Sequence, residues 1–387
     1  MRIGIDVRVA DPEEPGQQRY LWRLGVWLAG EGHHVHFLTV RPQPETIACP
    51  EGVTLHRLHD LSRARLRDAV RGLHLDVLLL NPERSRRYRG IGANVLRSAY
   101  GTEHYRQKLR SFRNPLERAV RASVRLTPWE AAERRWERAF YEGTSPEPHV
   151  VAQSRYMRGE ILGSYAVPEG NVHVVHNAVD TNEFTVSARE GLRDEMRARW
   201  RIPGEATCLL FLGHNYRLKG LWQLLDVLAD SDPSVHLLVV GRGTGSGQRR
   251  EARRRIERLG LRGRVTMAGP VRPSLHALAA ADALIHLSWH DSFGFVALEA
   301  MACGLPVITT PYVGATELID DGVSGLVVDP SDDRGIAAAI DRTRDAAFRR
   351  AMGAAAAAVG RSHDETSNFR RVLEVMRAAA VARDGPV

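Results

Sequence analysis

Cysteine is scarce. The 387-residue chain has three, Cys49, Cys208 and Cys303, too few and too scattered for a disulfide framework or a thiolate zinc site. That usage fits a reducing compartment, so a cytoplasmic protein is expected. No apolar run is long enough to span a bilayer. The first residues, MRIGIDVRVADPEEPG, lack a signal peptide's apolar core and read as a first strand. Several catalytic signatures are missing as well. There is no GxxxxGK[ST] phosphate loop, no G-x-S-x-G nucleophile elbow, no H-E-x-x-H and no paired CxxC. The glycines at Gly241, Gly243 and Gly245 follow a strand. Their order departs from the dinucleotide fingerprint, and no acidic residue closes a following strand, which argues against NAD. The Asp230–Asp232 pair sits at a helix end before a strand and reads as turn residues, so no metal site is expected.

What the chain does have is size, charge and alternation. It is 43% hydrophobic and 26% charged, a globular composition with room for two domains. The net charge of +8 invites anionic partners. Arginine and alanine outnumber lysine and asparagine, a bias that a GC-rich genome would produce without any function.

The alternation is that of an α/β protein. Arg2–Val9 reads as a strand. Asp11–Gly16 is a turn-rich loop, Arg19–Leu28 carries apolar residues at helical spacing, and Val35–Val40 is the next strand. Short strands follow at Val53–Leu58, Val77–Leu80 and Val95–Ala99, the last leading into YGTEHY at Tyr100–Tyr105. Residues 106–140 are strongly cationic with interleaved apolar and aromatic positions. Such a stretch is a solvated helical pair, a membrane-surface segment or, least favoured, a nucleic-acid contact. Strands at Val150–Ala152 and Val172–Val175 close the first half. Thr181–Glu205, polar and charged, reads as the linker. The second half restarts the pattern at Cys208–Leu212.

Two stretches of that second half concentrate chemistry. HNYRLKG, His214–Gly220, follows a strand and precedes a helix, so Lys219 and Arg217 can neutralise a pair of phosphates beside a helix N-terminus. The other stretch runs from Ala281 to Gly314. Here a buried strand leads into a loop at Trp289–Phe295, then a helix, then another strand. Asp291 in the loop and Glu299 on the helix can bracket one ligand. Phe293, Gly294 and Phe295 supply backbone N–H groups, with Gly294 permitting close approach. Asp291 and Glu299 each also have a structural reading, as a helix cap and as a satisfied buried carboxylate.

Together these residues resemble family 4 of the retaining glycosyltransferases. The resemblance is carried by Asp291 and Glu299 within HDSFGFVALEAMACGLPVI, where the family has two glutamates ahead of A-x-A-x-G-x-P-V. Gly16, VVAQSRYM, VHVVHNAVD, LKG and DDGVSGLVVDP extend it over essentially the whole chain. Within the family, GQQRYLWRLGVWLAGEGHHVHFLTVR and AAERRWERAFYE look most like lipopolysaccharide-core glucosyltransferases. The resemblance departs at three places: Asp291 is one methylene shorter than glutamate, His214 stands where arginine is common, and Ala178 replaces a glycine.

The resemblance implies a GT-B fold, with two Rossmann-like domains facing across a deep cleft. Residues 1–185 would bind acceptor, residues 186–365 would bind a nucleotide-sugar, and a C-terminal helix, 366–387, would return to the first domain. It implies hexose transfer from a nucleotide-sugar, UDP-glucose foremost, to a glycan or glycolipid. The catalytic set would be Asp291, Lys219, Arg217 and Glu103 or His104. Lys219 and Arg217 would hold the diphosphate, Glu299 the ribose, and Asp291 with Phe293, Gly294 and Phe295 the sugar. Gly16 would let the first domain's loop approach the phosphates. The reaction would be a front-face displacement with no metal and no cofactor. The expected partners are the nucleotide-sugar, the acceptor and an anionic membrane face reached through residues 106–140. Nucleic acid is not among them. The expected location is the cytoplasm or the inner face of the cell membrane. Two other readings stay open, a sugar-nucleotide epimerase on the same fold and a catalytically silent nucleotide-sugar binder.

Overall fold

The computed structural model describes residues 1–7, 16–39, 48–80, 88, 91, 93–97, 109–112, 115–123, 135, 138–142 and 148–384. In chain order the first half contains β1 (Arg2–Val7), α1 (Gln17–Gly30), β2 (His34–Thr39), β3 (Val53–Arg57), α2 (Arg63–Arg71), β4 (Val77–Leu80), β5 (Ala93–Arg97), α3 (Pro115–Ser123), β6 (His149–Ala152), α4 (Arg155–Ser164) and β7 (Val172–Val174). The second half adds α5 (Val186–Arg199), β8 (Thr207–Leu212), α6 (Leu221–Asp230), β9 (Val235–Val240), α7 (Gly245–Arg258), β10 (Val265–Gly269), α8 (Ser274–Ala280), β11 (Ala283–His286), α9 (Phe295–Ala302), β12 (Val307–Thr309), β13 (Leu326–Val327), α10 (Asp333–Arg342), α11 (Ala346–Arg361) and α12 (Glu365–Asp384).

These elements make two compact units. One comprises Met1–Tyr105, Ala122–His176 and Thr366–Val387; the other comprises Arg106–Arg121 and Asn177–Glu365. The units divide the chain between His176 and Asn177, where the sequence reading divides it after residue 185. Each unit is a doubly wound α/β sheet. The first has the strand order β3-β2-β1-β4-β5-β6-β7, the second β10-β9-β8-β11-β12-β13. Every pairing in both is parallel. Parallel sheets are covered on both faces, so their strands read as unbroken apolar runs. VHLLVV in β9 is buried at every residue.

Both orders fall outward from a central pair and reverse there. In the first sheet the reversal lies between β1 and β4, in the second between β8 and β11. At such a switch point the connections leave in opposite directions and open a crevice beyond the strands' carboxyl ends.

Thr181–Glu205 is not a linker. It holds α5, capped by Thr185, whose hydroxyl accepts from the Ala188 N–H at 3.0 Å. Arg197 is buried; it donates to the carbonyls of Pro203 and Ala206 at 2.7 and 2.8 Å and to Asp282 at 3.1 Å. Its apolar stripe is narrow, Ala188, Leu192 and Met196, and the charged Arg193 and Arg197 beside it are anchored too, so the segment reads as polar. The carboxyl-terminal helix α12 belongs to the first unit. There the Tyr20 hydroxyl donates to Asn368 Oδ1 at 2.7 Å, and the Phe369 ring meets Tyr20 edge-on. Among the described residues no helix is long and apolar enough to cross a membrane.

Candidate active site

The carboxyl ends of β8 and β11 carry the loops that hold Lys219 and Asp291. The first loop is fixed from several sides. Tyr216 is buried and its hydroxyl donates to the Gly241 carbonyl at 2.7 Å. The Lys219 N–H bonds back to the Asn215 carbonyl at 2.9 Å. Gly220 then turns into α6 with φ of 81°, and a Cβ there would lie 2.3 Å from the Leu287 carbonyl oxygen. Only glycine lets the loop lie this close to the neighbouring strand end.

The second loop is stitched to the first and to the next strand. The Trp289 N–H donates to the Leu218 carbonyl at 2.9 Å, and the Asp291 N–H to the Tyr312 carbonyl at 2.9 Å. Gly294 caps α9 with φ of 85°, where a Cβ would press on Val313 at 2.9 Å.

The two loops meet in a three-residue cluster. Lys219 Nζ donates to Asp291 Oδ2, and His286 Nε2 reaches the same oxygen at 3.1 Å. The side chains are 13%, 12% and 2% exposed respectively. Burial alone would raise the Asp291 pKa. The Lys219 charge and the hydrogen bond from His286 outweigh it and hold the carboxyl well below the usual range. His286 is shifted down, first by burial and then by Lys219, against the pull of Asp291. It is therefore a neutral imidazole with its Nε2–H on the carboxylate, and its buried Nδ1 meets no hydrogen-bond partner among the described residues. The arrangement is a buried cation–anion pair at a sheet switch point, with the amino end of α9 beginning four residues on.

The other sequence-derived residues fall as follows. Phe293 is buried and Phe295 half-buried, flanking Gly294. Glu299 is half-buried and accepts from Ser274 Oγ at 3.0 Å. Arg217 is engaged away from Asp291. Its guanidinium pairs with Glu251 at 3.3 Å and Glu117 at 3.8 Å and lies over the Phe112 ring at 4.5 Å. Gly16, in the first unit, precedes α1 with φ of 71°. Glu103 and His104 lie outside the described residues.

His286 was not among the residues singled out from the sequence, although a histidine closing an otherwise apolar strand, ALIH, signals a polar partner nearby. A second signal is compositional. The chain contains two lysines, Lys108 and Lys219, among 54 basic residues. A chain that uses arginine almost everywhere has kept lysine at 219, so the position selects a compact ammonium rather than any cation.

The family described as "Glycosyltransferase Family 4" matches residues 16–183, and that described as "Glycosyl transferases group 1" matches residues 193–358. Each half of the chain thus matches a glycosyltransferase family model. The chain's relatives include a D-inositol 3-phosphate glycosyltransferase of Thermomonospora curvata, 31% identical over 62% of this chain and 63% of the relative. A protein of the same description from Xylanimonas cellulosilytica is 34% identical, over 47% of this chain and 45% of its own length. The chain thus spans less than two thirds of these relatives. Among solved structures, sucrose-phosphate synthase of Thermosynechococcus elongatus superposes with a TM-score of 0.78 at 21% identity, over 98% of this chain and 99% of that one. WaaG, a glycosyltransferase involved in lipopolysaccharide biosynthesis, gives 0.76 at 20%, over 97% and 99%. Anabaena HepE in complex with UDP and glucose gives 0.76 at 19%, over 97% and 99%. At these identities the superpositions establish the fold alone, the GT-B fold.

Proposed function

We propose that this glycosyltransferase transfers a hexose from a UDP-sugar, UDP-glucose foremost, to a hydroxyl of a glycan, glycolipid or polyol phosphate, with retention at the anomeric carbon. The observation that carries the reading is the Lys219–Asp291–His286 cluster at the switch point of the second sheet. HepE, solved with UDP and glucose, has the same fold, which favours a UDP-sugar as donor.

In this reading the donor diphosphate takes Lys219 as its counter-ion and uses the α9 N–H groups. Lys219 then stabilises the charge that builds on the departing UDP, as a preorganised donor does, typically for about 100- to 1,000-fold in rate. The bond from the sugar's anomeric carbon to the β-phosphate oxygen breaks. A bond to the acceptor oxygen forms on the same face, and the acceptor proton passes to the leaving phosphate oxygen. Lys219 supplies the positive charge, so the step needs no metal. Asp291, relieved of Lys219 but still held by His286, accepts from sugar hydroxyls, and Glu299 accepts from the ribose. Arg217 reaches the diphosphate only by leaving Glu251 and Glu117.

Two acceptor chemistries compete. The sequence resemblance favours a lipopolysaccharide core, whereas relatives at about one-third identity are named for D-inositol 3-phosphate. A peripheral membrane position suits the first, and α3 there shows Leu116 and Val120 to solvent, 78% and 62% exposed. The deciding experiment offers labelled UDP-glucose with inner-core lipopolysaccharide, D-inositol 3-phosphate or no acceptor, and analyses every product. Acceptor-dependent UDP release with a new α-glycoside is the expected result. An epimerised nucleotide-sugar formed without acceptor would replace this reading with the epimerase, and no turnover of a bound UDP-sugar with either acceptor would replace it with the silent binder.

A further inference from the structure

The second unit also has a cationic recess, at the other end of its strands from Lys219. A cavity of about 450 Å³ is lined by Arg189 and Arg193 of α5 and by Arg349, Arg350 and Arg361 of α11, with Leu305 and Pro306 among its apolar lining. Pro306 directly precedes β12, and Asp282, also in the lining, directly precedes β11. The recess therefore sits at the amino ends of these strands, whereas Lys219 and Asp291 sit beyond the carboxyl ends.

Its charges do not cancel. Five arginines line it against two carboxylates, Asp282 and Glu190. Asp282 is already saturated. Oδ1 accepts from Arg193 at 2.6 Å, and Oδ2 accepts from Arg197 at 3.1 Å and from the Cys208 N–H at 2.7 Å. Glu190 is largely exposed and meets Arg189 at 3.3 Å. The side chains of Arg350 and Arg361 are exposed and make no hydrogen bond or ion pair among the described residues. The Arg189 side chain is 13% exposed, and its Nε is buried with no hydrogen-bond partner among the described residues. Burial and the neighbouring Arg193 charge both work against its ionised form. Guanidinium groups gathered round a recess, one of them desolvated and incompletely bonded, are stabilised when an oxyanion enters. Their planar forks match phosphate oxygens two at a time.

We propose that this recess is a second ligand site, distinct from the Lys219 cluster, that binds a small phosphate-bearing ligand. The proposal does not depend on the transferase reading. The phosphate group could belong to a free compound or to a lipid headgroup, and the test separates the two. The full chain, first saturated with UDP to fill the Lys219 site, is titrated calorimetrically with inorganic pyrophosphate at constant ionic strength. One further pyrophosphate per chain is expected, with UDP still bound. The double variant Arg350→Gln/Arg361→Gln alters two exposed side chains and should keep the fold. It should weaken that uptake at least tenfold and leave UDP binding unchanged. If the chain does not bind UDP, the functional reading fails, and the same titration without UDP still reads the recess. Co-sedimentation with phosphatidylglycerol vesicles, against phosphatidylcholine vesicles, assigns the source. Binding that pyrophosphate displaces and the double variant loses assigns a headgroup, while intact pyrophosphate uptake without vesicle binding assigns a free phosphate compound. No saturable uptake in either arm, or uptake indifferent to the double variant, overturns the proposal.

Discussion

Lys219 is the residue on which the proposed chemistry turns. Its ammonium is largely desolvated and shares one carboxylate oxygen of Asp291 with His286. Replacing it with arginine keeps the charge but substitutes a larger planar fork for a point donor. We expect Lys219→Arg to lower kcat by about 100-fold, the order found when a preorganised donor is lost, while the chain remains folded. Asp291→Asn separates two roles. It removes the anion that holds Lys219, so UDP should bind at least as tightly as before. It also takes away the carboxylate proposed to orient the sugar, so kcat should fall. Without ligand it should cost stability, on the order of 3 kcal/mol, because a buried cation has lost its partner. Steady-state kinetics with UDP titrations reads both. A kcat that survives Asp291→Asn would reduce Asp291 to a counter-ion. At this scale the meeting of Lys219 and Asp291 was legible because motif spacing places both in loops just before a helix start. His286 was not, since its role depends on burial and on an exact neighbour, neither of which spacing records.

The strands carry a second, acid-sensitive feature. Histidines on adjacent strands of the first unit touch in pairs, His36 with His56 at 3.0 Å and His149 with His173 at 3.1 Å. Burial, reinforced by His56, Arg2 and His34, brings the His36 pKa down to about 4. The pKa values of His56 and His173 are also lowered, again chiefly by burial. A folded pKa below the unfolded value of 6.5 means the unfolded chain takes up a proton that the folded one refuses. Stability should therefore be highest above pH 6.5 and fall as the pH drops toward 4. Below the ordinary aspartate range the loss of ionised Asp291 adds to the decline, because its folded pKa is depressed. Urea unfolding at pH 7.5 and 5.0 measures the slope, and His36→Gln should flatten it. Equal slopes in the two proteins would mean the pair is silent. The same strands show why much of the fold was readable. Runs such as CLLFL and VHLLVV have no polar face, as strands covered on both sides require. Helix α5 escaped because its apolar stripe is only Ala188, Leu192 and Met196, while Arg193 and Arg197, bound to Asp282 and to backbone carbonyls, read in a sequence as solvent-facing.

Across the whole molecule, the chain's last helix completes its first unit. Helix α12 follows the second unit in sequence, yet residues from Thr366 onward belong with Met1–Tyr105. The junction is specific. Asn368 accepts from the Tyr20 hydroxyl and donates through Nδ2 to the His176 carbonyl. Phe369, 3% exposed, sets its ring against Tyr20 at 5.5 Å and Trp27 at 5.8 Å. Neither composition nor periodicity says which sheet a terminal amphipathic helix covers, because its apolar face fits any apolar partner; here the polar Asn368 node selects the site. Phe369→Ala should remove about 3–5 kcal/mol, as emptying a buried aromatic site does, and the loss should be local. Hydrogen exchange in the variant should quicken in α1, β1 and β2 of the first unit. It should stay unchanged in β8, β9 and β11, whose cores contain no α12 residue. UDP, if it binds the Lys219 cluster as proposed, should protect the second unit equally in both proteins. Uniformly faster exchange throughout would show that the chain unfolds as one cooperative body, and that the contact partition into two units has no energetic counterpart.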